Sequence, residues 1–307
     1  MAGGVDTHVH VGPFINEETM VWDVFELARE AAAAGLRAAV YKSPFGSSCI
    51  AASLANKYAG GATVVGGVTL NWAAGGINPD AVRVAAHEGM YGGFRPGRFV
   101  WMPEKASLHN ARLRNLPNPE RYLSPFKNGD IDAGLTAEGR AVCEIIAEED
   151  LVLATSHLAP EEGLALIEEA RGLGARRFVV THASSSLVGY TLEQKKRAAA
   201  LGAFIEETVS TWEVGMRVFG FEPINPQEAI FPAMKEIGAA HYVLGSDCGS
   251  GPFPKPTDAM RVFVSILLGS GFSESDVRQM VVDNPVGLIG LDEPDERPPA
   301  NRVSINN

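Results

Sequence analysis

Apolar residues run along this chain in short, nearly continuous blocks, and between the blocks hydrophobic positions recur every three or four residues. The blocks are 5–11 (VDTHVHV), 38–43 (AAVYKS), 63–70 (TVVGGVTL), 98–103 (RFVWMP), 151–158 (LVLATSHL), 177–183 (RFVVTHA), 203–210 (AFIEETVS) and 242–248 (YVLGSDC). Their length and β-branched content predict strands, and their weak alternation predicts burial on both faces. The helical pattern is clearest over 18–35, 136–149, 161–174 and 190–201, and further helices are expected near 50–58, 80–89, 226–237, 257–269 and 274–283.

Strand and helix alternate, which predicts an α/β fold with a parallel sheet. Eight such units within 307 residues favour a closed (β/α)8 TIM barrel over an open, doubly wound sheet. An open sheet built for nucleotides would carry a Gly-rich turn after its first strand, and here that turn reads His10-Val11-Gly12-Pro13. The barrel is expected to span 1–291. One connection stands out: residues 104–135, after the fourth strand, form a long Pro- and Asn-rich loop on the side where such barrels keep their active sites. A lid is expected there. The tail 292–307 is polar and Pro-rich, and is expected to lie on the surface or at a subunit contact of a homo-oligomer.

Composition narrows the partners. A hydrophobic fraction of 46% supports a large core. No apolar run reaches the roughly 18 residues of a membrane span, and no basic-then-apolar leader precedes the first strand, so neither membrane insertion nor secretion is expected. A net charge of −11 argues against nucleic-acid binding, which needs a basic surface. Cys49, Cys143 and Cys248 are odd in number and scattered, which fits neither a disulfide framework nor a paired-cysteine metal site. A cytoplasmic protein acting on a small molecule is the expectation.

The chemistry lies in the histidines. His8 and His10, two residues apart on the first predicted strand, share a face with Asp6, and Val5, Thr7, Val9 and Val11 take the other. His157 ends the fifth strand, His182 the sixth and Asp247 the eighth, so in a barrel all five meet on one rim. Strand parity pairs His157 with Leu153 and Thr155, His182 with Phe178 and Val180, and Asp247 with Val243 and Gly245. Four imidazoles and a carboxylate converging on one pocket are ligands for zinc or a similar divalent ion. His87, His109 and His241 fall elsewhere and are expected to be structural. Lys42, at the end of the second strand, either caps locally or offers a cation to an anionic substrate. Glu206 and Glu207 are adjacent on the seventh strand, so one must face inward; Trp212 follows as a candidate pocket wall. Arg112, Arg114, Arg121 and Lys127 make the long loop basic, either as a solvated surface or for an anionic substrate.

The ordered set Asp6-Thr7-His8-Val9-His10, His157, His182 and Gly245-Ser246-Asp247 resembles the amidohydrolase superfamily of metal-dependent hydrolases. The stretch Asn284-Pro285-Val286-Gly287-Leu288-Ile289-Gly290-Leu291 is similar to one that often closes those barrels. The resemblance implies that His8 and His10 bind a more buried metal and His157 and His182 a more exposed one. It implies that Asp247 ligates the first metal and takes a proton from the attacking water. It also implies a bridging ligand at the end of strand four, for which Glu104 is favoured over Lys105, since a lysine would first need carboxylation. Two zinc ions are expected, with manganese or cobalt as alternatives. Lys42, Lys105, Glu207 and Trp212 are the expected substrate-binding residues. The implied reaction is hydrolysis of an amide, cyclic amide or lactone. Alternatives are a phosphoesterase, a mononuclear deaminase or decarboxylase, and a barrel that binds without catalysing.

Overall fold

The structure, a computed structural model, describes residues 1–12, 20–90 and 93–292. Its strands are β1 (Gly4–Val9), β2 (Leu36–Tyr41), β3 (Thr63–Thr69), β4 (Gly97–Trp101), β5 (Val152–Ala154), β6 (Arg177–Val180), β7 (Phe204–Thr208) and β8 (Tyr242–Gly245). They neighbour one another in chain order and every pair is parallel. The ring closes where Val9 bridges Cys248, with Asp247 N donating to His8 O at 2.7 Å and His10 N to Cys248 O at 2.9 Å. This is the expected (β/α)8 barrel.

The outer layer contains α1 (Val24–Ala33), α2 (Cys49–Tyr58), α3 (Pro79–His87), α4 (Leu108–Leu113), α5 (Ala137–Glu148) and α6 (Pro160–Gly172). It continues with α7 (Leu192–Ala200), α8 (Pro226–Ala229), α9 (Phe231–Ile237), α10 (Pro256–Gly269) and α11 (Glu274–Arg278), and α12 (Asn284–Ile289) follows at the barrel floor. The expected helix start at residue 18 lies outside the described residues; from residue 20 on, the helix begins at Val24. Asp23 caps it, accepting from Phe25 N and Glu26 N at 2.8 Å, while Glu26 accepts in return from Asp23 N. The helix expected over 226–237 divides at Ile230, because Pro232 has no N–H to donate back into the first turn.

Two apolar layers flank the sheet. Val5, Val40, Phe99, Trp101, Val179 and Val243 fill the barrel with Leu288 and Ile289 of α12. Leu153, Phe178, Val180, Ile205 and Leu244 face outward into the helices. Burial of each large side chain contributes about 1.5–3 kcal/mol. Asn284 fixes α12 under β8 by donating to Ala239 O at 2.8 Å and Tyr242 O at 2.7 Å, and its helix then delivers Leu288 and Ile289 to the barrel floor.

Residues 104–135 form a folded insert with α4 and three 3-10 turns. Phe126 is buried, and Ser107 Oγ donates to His157 O at 2.9 Å, so the insert is tied to the end of the fifth strand. Of the polar tail expected over 292–307, only Asp292 lies within the described residues, where it pairs with Arg37. Among the described residues no helix is long and apolar enough to cross a membrane. None of the three cysteines forms a disulfide, and all three are buried.

Candidate metal centre

The register of β1 against β2 shifts between Asp6 and Val9. This irregularity turns two successive side chains toward the same acid: Thr7 Oγ1 donates to Glu206 Oε1 at 2.8 Å, and His8 Nδ1 lies 3.0 Å from Glu206 Oε2. The alternation expected along β1 is therefore broken, and Val5 points into the barrel while Val9 and Val11 pack against helices. Two glycines let β8 run close beside this strand. A Cβ at Gly245 would stand 2.8 Å from His8 Cβ, and one at Gly249 would collide with His10 O at 1.8 Å.

His10 Nδ1 meets Lys42 O at 2.9 Å. A carbonyl only accepts, so Nδ1 carries the hydrogen, and in the neutral ring Nε2 is left with its lone pair. That Nε2 faces Asp247 Oδ1 at 3.0 Å, and His8 Nε2 faces the same oxygen at 3.3 Å. Acceptors this close repel unless a proton or a cation stands among them. The ligand atoms of His8, His10 and Asp247 lie within 4.8 Å of one another, the arrangement a divalent ion requires. Asp247 Oδ2 accepts from Ser210 Oγ at 2.6 Å. Burial would raise the Asp247 carboxyl, but His8 and His10 outweigh it and hold it well below the usual carboxylate range. Burial would lower His8, and Asp247 and Glu206 outweigh that, leaving the imidazole raised.

His157 and His182 arrive differently. β5 stops at Ala154 and β6 at Val180, and the chain then turns through left-handed residues, Ser156 at φ 51° and His182 at φ 32°; Asp247 shares this conformation at φ 49°. Such strain in residues with a Cβ concentrates at functional sites. It also corrects the parity argument, because Leu153, Phe178 and Val180 all face the helices. Continued extension would have carried His157 and His182 outward with them. Instead the rings meet with centroids 4.9 Å apart, and His182 stacks 5.9 Å from His8. Both Nδ1 atoms are buried without a hydrogen-bond partner, as is His8 Nε2. Burial keeps His157 well below its ordinary pKa and pushes His182 down to about 4. Both imidazoles are therefore neutral at physiological pH, the form that can bind a metal.

Glu104 completes the ring. Asn71 Oδ1 accepts from Glu104 N at 2.9 Å and Ala106 N at 3.1 Å, which bends the chain after β4 and turns the carboxylate inward. Glu104 Oε2 accepts no hydrogen bond, and its ionic partner is Lys42 Nζ at 3.2 Å. Burial opposes the charge on Glu104, and Lys42, His157 and His10 outweigh that opposition to hold the carboxyl low. Lys42 is thus a buried counter-ion within the cluster, 1% exposed. Lys105 is exposed at the mouth, with Nζ 5.1 Å from the Phe45 ring centroid.

Two expected substrate contacts lie elsewhere. Glu207 points out of the barrel, where its carboxylate pairs with buried Lys195 at 2.8 Å and accepts from Ser184 Oγ at 2.8 Å. The inward acid is its neighbour Glu206. A charged Lys195 on the buried face of α7 was the available signal that the outer side of β7 must supply a carboxylate. Trp212 packs edge-on against Phe263, centroids 4.6 Å apart, in the helix-side core, and is not part of the pocket wall. Ser210, Asn71 and the wall residues Met216, Phe221 and Phe253 carry no motif and emerge only from the fold. His87 and His109 lie outside the histidine cluster, the first paired with Glu149 at 3.0 Å and the second 3.1 Å from Leu187 O. The centre opens into a cavity of about 140 Å³, whose wall includes Lys105, Asn110 and Arg114 of the insert.

A model described as a family of unknown function (DUF6282) matches residues 3–206. No curated protein matches the chain. Solved structures do. A mutant organophosphorus hydrolase from Deinococcus radiodurans is 17% identical, with a TM-score of 0.57 over 94% of this chain and 93% of that one. An amidohydrolase from Burkholderia multivorans with bound zinc is 13% identical, with a TM-score of 0.56 over 94% and 99%. A 2,6-dihydroxybenzoate decarboxylase from Rhizobium is 10% identical, with a TM-score of 0.53 over 95% and 100%. At these identities the likeness is one of fold, and the fold is the barrel that the amidohydrolase resemblance implied.

Proposed function

The chain belongs to the DUF6282 family, and from the geometry of its rim we propose that it is a divalent-metal-dependent hydrolase of small molecules. The observation that carries this reading is a set of buried imidazole nitrogens without a hydrogen-bond partner. His8 Nε2, His157 Nδ1 and His182 Nδ1 make no hydrogen bond, and their residues gather around the Asp247 carboxylate and Glu104, whose ionic partner is Lys42. A buried polar atom left this way costs about 1–3 kcal/mol, and a bound cation is the partner that suits every one of them. His8, His10 and Asp247 would hold one ion, His157 and His182 a second, and Glu104 would stand between them. Zinc suits this donor set, with manganese and cobalt next.

Bound there, divalent ions supply Lewis acidity to a carbonyl or phosphoryl oxygen and bring the pKa of water toward about 7. The chain's own residues do the rest. Asp247 accepts a proton from the attacking water and returns it to the leaving group, with Ser210 holding the other carboxylate oxygen in place. Glu206 and the Lys42 carbonyl fix the tautomers of His8 and His10. Lys42 balances Glu104. An amide, cyclic amide or lactone is the proposed bond. A phosphoester is the second reading, favoured by the fold shared with an organophosphorus hydrolase.

The test is removal and return of metal. Prolonged chelation should abolish turnover of a panel of lactones, cyclic amides, N-acyl amino acids and phosphate esters, and zinc, manganese or cobalt should restore it. The fold should survive, because a barrel of this size buries its core independently of the rim. Full activity in a preparation shown by elemental analysis to be metal-free would reject the reading.

A further inference from the structure

Three cations line the cavity, and only the deepest is neutralised. Lys42 is paired with Glu104, whereas among the described residues neither Lys105 nor Arg114 has a carboxylate partner. Each lies over an aromatic ring instead: Lys105 Nζ is 5.1 Å from the Phe45 centroid, and Arg114 Cζ is 5.7 Å from the Phe221 centroid. Both cations are exposed at the mouth, in a chain whose net charge is −11. A guanidinium resting on a ring face is held by cation–π attraction with its N–H edges free, the geometry that grips a carboxylate through two parallel bonds. Part of the cavity wall is apolar, formed by Met216, Phe221 and Phe253. The cavity measures about 140 Å³. A void of about 150 Å³ takes up a single benzene ring.

We propose that Arg114, assisted by Lys105, reads a carboxylate on the substrate, while an apolar group no larger than a phenyl ring rests on Met216, Phe221 and Phe253. The pocket thus selects compact amphipathic carboxylates. What then happens to the substrate rests on the hydrolase reading; the binding does not.

Isothermal titration calorimetry of the full chain tests this with 3-phenylpropionate and its neutral, non-hydrolysable counterpart 4-phenylbutan-2-one. The acid should bind the wild type about tenfold or more tightly than the ketone, as a charge-assisted bidentate pair implies. Arg114→Ala should erase that preference, Arg114→Lys should restore part of it, and Met216→Ala should weaken both ligands alike. Arg114 is exposed, so its variants should fold normally. Equal binding of acid and ketone, or an Arg114→Ala variant with unchanged affinity for the acid, would overturn the proposal. If the acid still binds an Arg114→Ala/Lys105→Ala variant and is lost on chelation, the anion sits on the metal: the proposal fails and the hydrolase reading stands. Arg114-dependent binding to protein that takes up no divalent ion would uphold the carboxylate site and leave the hydrolase reading without its metal.

Discussion

His8 and His10 leave β1 with their Nδ1 atoms engaged, by the Glu206 carboxylate at 3.0 Å and the Lys42 carbonyl at 2.9 Å. His157 and His182 reach the same pocket beyond their strands, with both Nδ1 atoms buried and unpartnered. The first pair is oriented by hydrogen bonds before anything binds. The second is placed by packing and by the backbone, including a left-handed His182, and its Nδ1 atoms have no hydrogen-bond partner within the protein. One half of the rim is therefore oriented in advance by hydrogen bonds and the other is not, while both hold buried nitrogens that a bound ion would partner.

The largest effect expected within the first half is at Asp247, which faces both imidazoles and is asked to carry the proton. Asp247→Asn preserves shape, and asparagine tolerates the left-handed backbone found there. Metal content should fall only partly, while kcat should drop by about 10²–10⁴-fold, the usual contribution of general acid–base catalysis. A variant that keeps its metal and more than about a tenth of the wild-type kcat would remove Asp247 from the chemistry.

The two halves should also answer pH with opposite signs. His182 is pushed down to about 4 by burial, below its unfolded value of 6.5. Its contribution to stability is therefore present in full above pH 6.5 and is lost as pH falls toward 4. The size is on the order of 3 kcal/mol. His8 is raised, so its contribution is present below its unfolded pKa and is lost as pH rises through the folded one. After chelation, thermal unfolding between pH 7 and pH 4 should lose stability less steeply in His182→Asn than in wild type, and more steeply in His8→Asn. Parallel slopes in all three proteins would erase the distinction between the halves.

That distinction was only half legible in the sequence. The spacing His8-x-His10 and the strand-end positions of His157, His182 and Asp247 were enough to bring five residues to one rim, because a parallel barrel sends every strand's C-terminal end to the same face. Orientation was another matter. Parity is a property of extended chain, and it lapses at the register shift in β1 and at the left-handed turns of Ser156 and His182. The same limit explains Glu206 and Glu207: one had to face inward, and the choice depended on Lys195, a partner on a different element. Trp212 looked like a wall because it follows a strand, but Phe263 of α10 draws it into the outer core.

Glu206 gives a sharper test of how the first half is prepared. Glu206→Gln keeps a side-chain oxygen near His8 but removes the charge that favours its Nδ1–H tautomer. Losing such an outer partner typically costs about 10–100-fold in metal affinity. Competition with a fluorescent zinc chelator should show that loss at the tighter site, with the weaker site unchanged. Equal weakening of both sites would mean that Glu206 serves the whole rim, which its contact with His182 N at 3.2 Å makes a real alternative outcome.

The smallest expected effect belongs to Ser210, and it separates orientation from ligation. Its hydroxyl donates to Asp247 Oδ2 at 2.6 Å, on the side of the carboxylate away from the histidines, and is itself within 3.2 Å of Thr208 Oγ1. Ser210→Ala deletes one hydrogen bond to a charged group, worth about 1.5–3 kcal/mol where nothing replaces it. Water can reach this part-buried oxygen, so a fall of about tenfold in kcat is expected, near the low end of that range. KM and metal content should stay level, because Oδ1 and both imidazoles are untouched. Ser210→Thr keeps the hydroxyl and should recover most of the rate. If Ser210→Ala lowered metal content as much as rate, the serine would be holding the ion's ligand in place, and its separate role in orienting the proton-carrying Asp247 would lose its support.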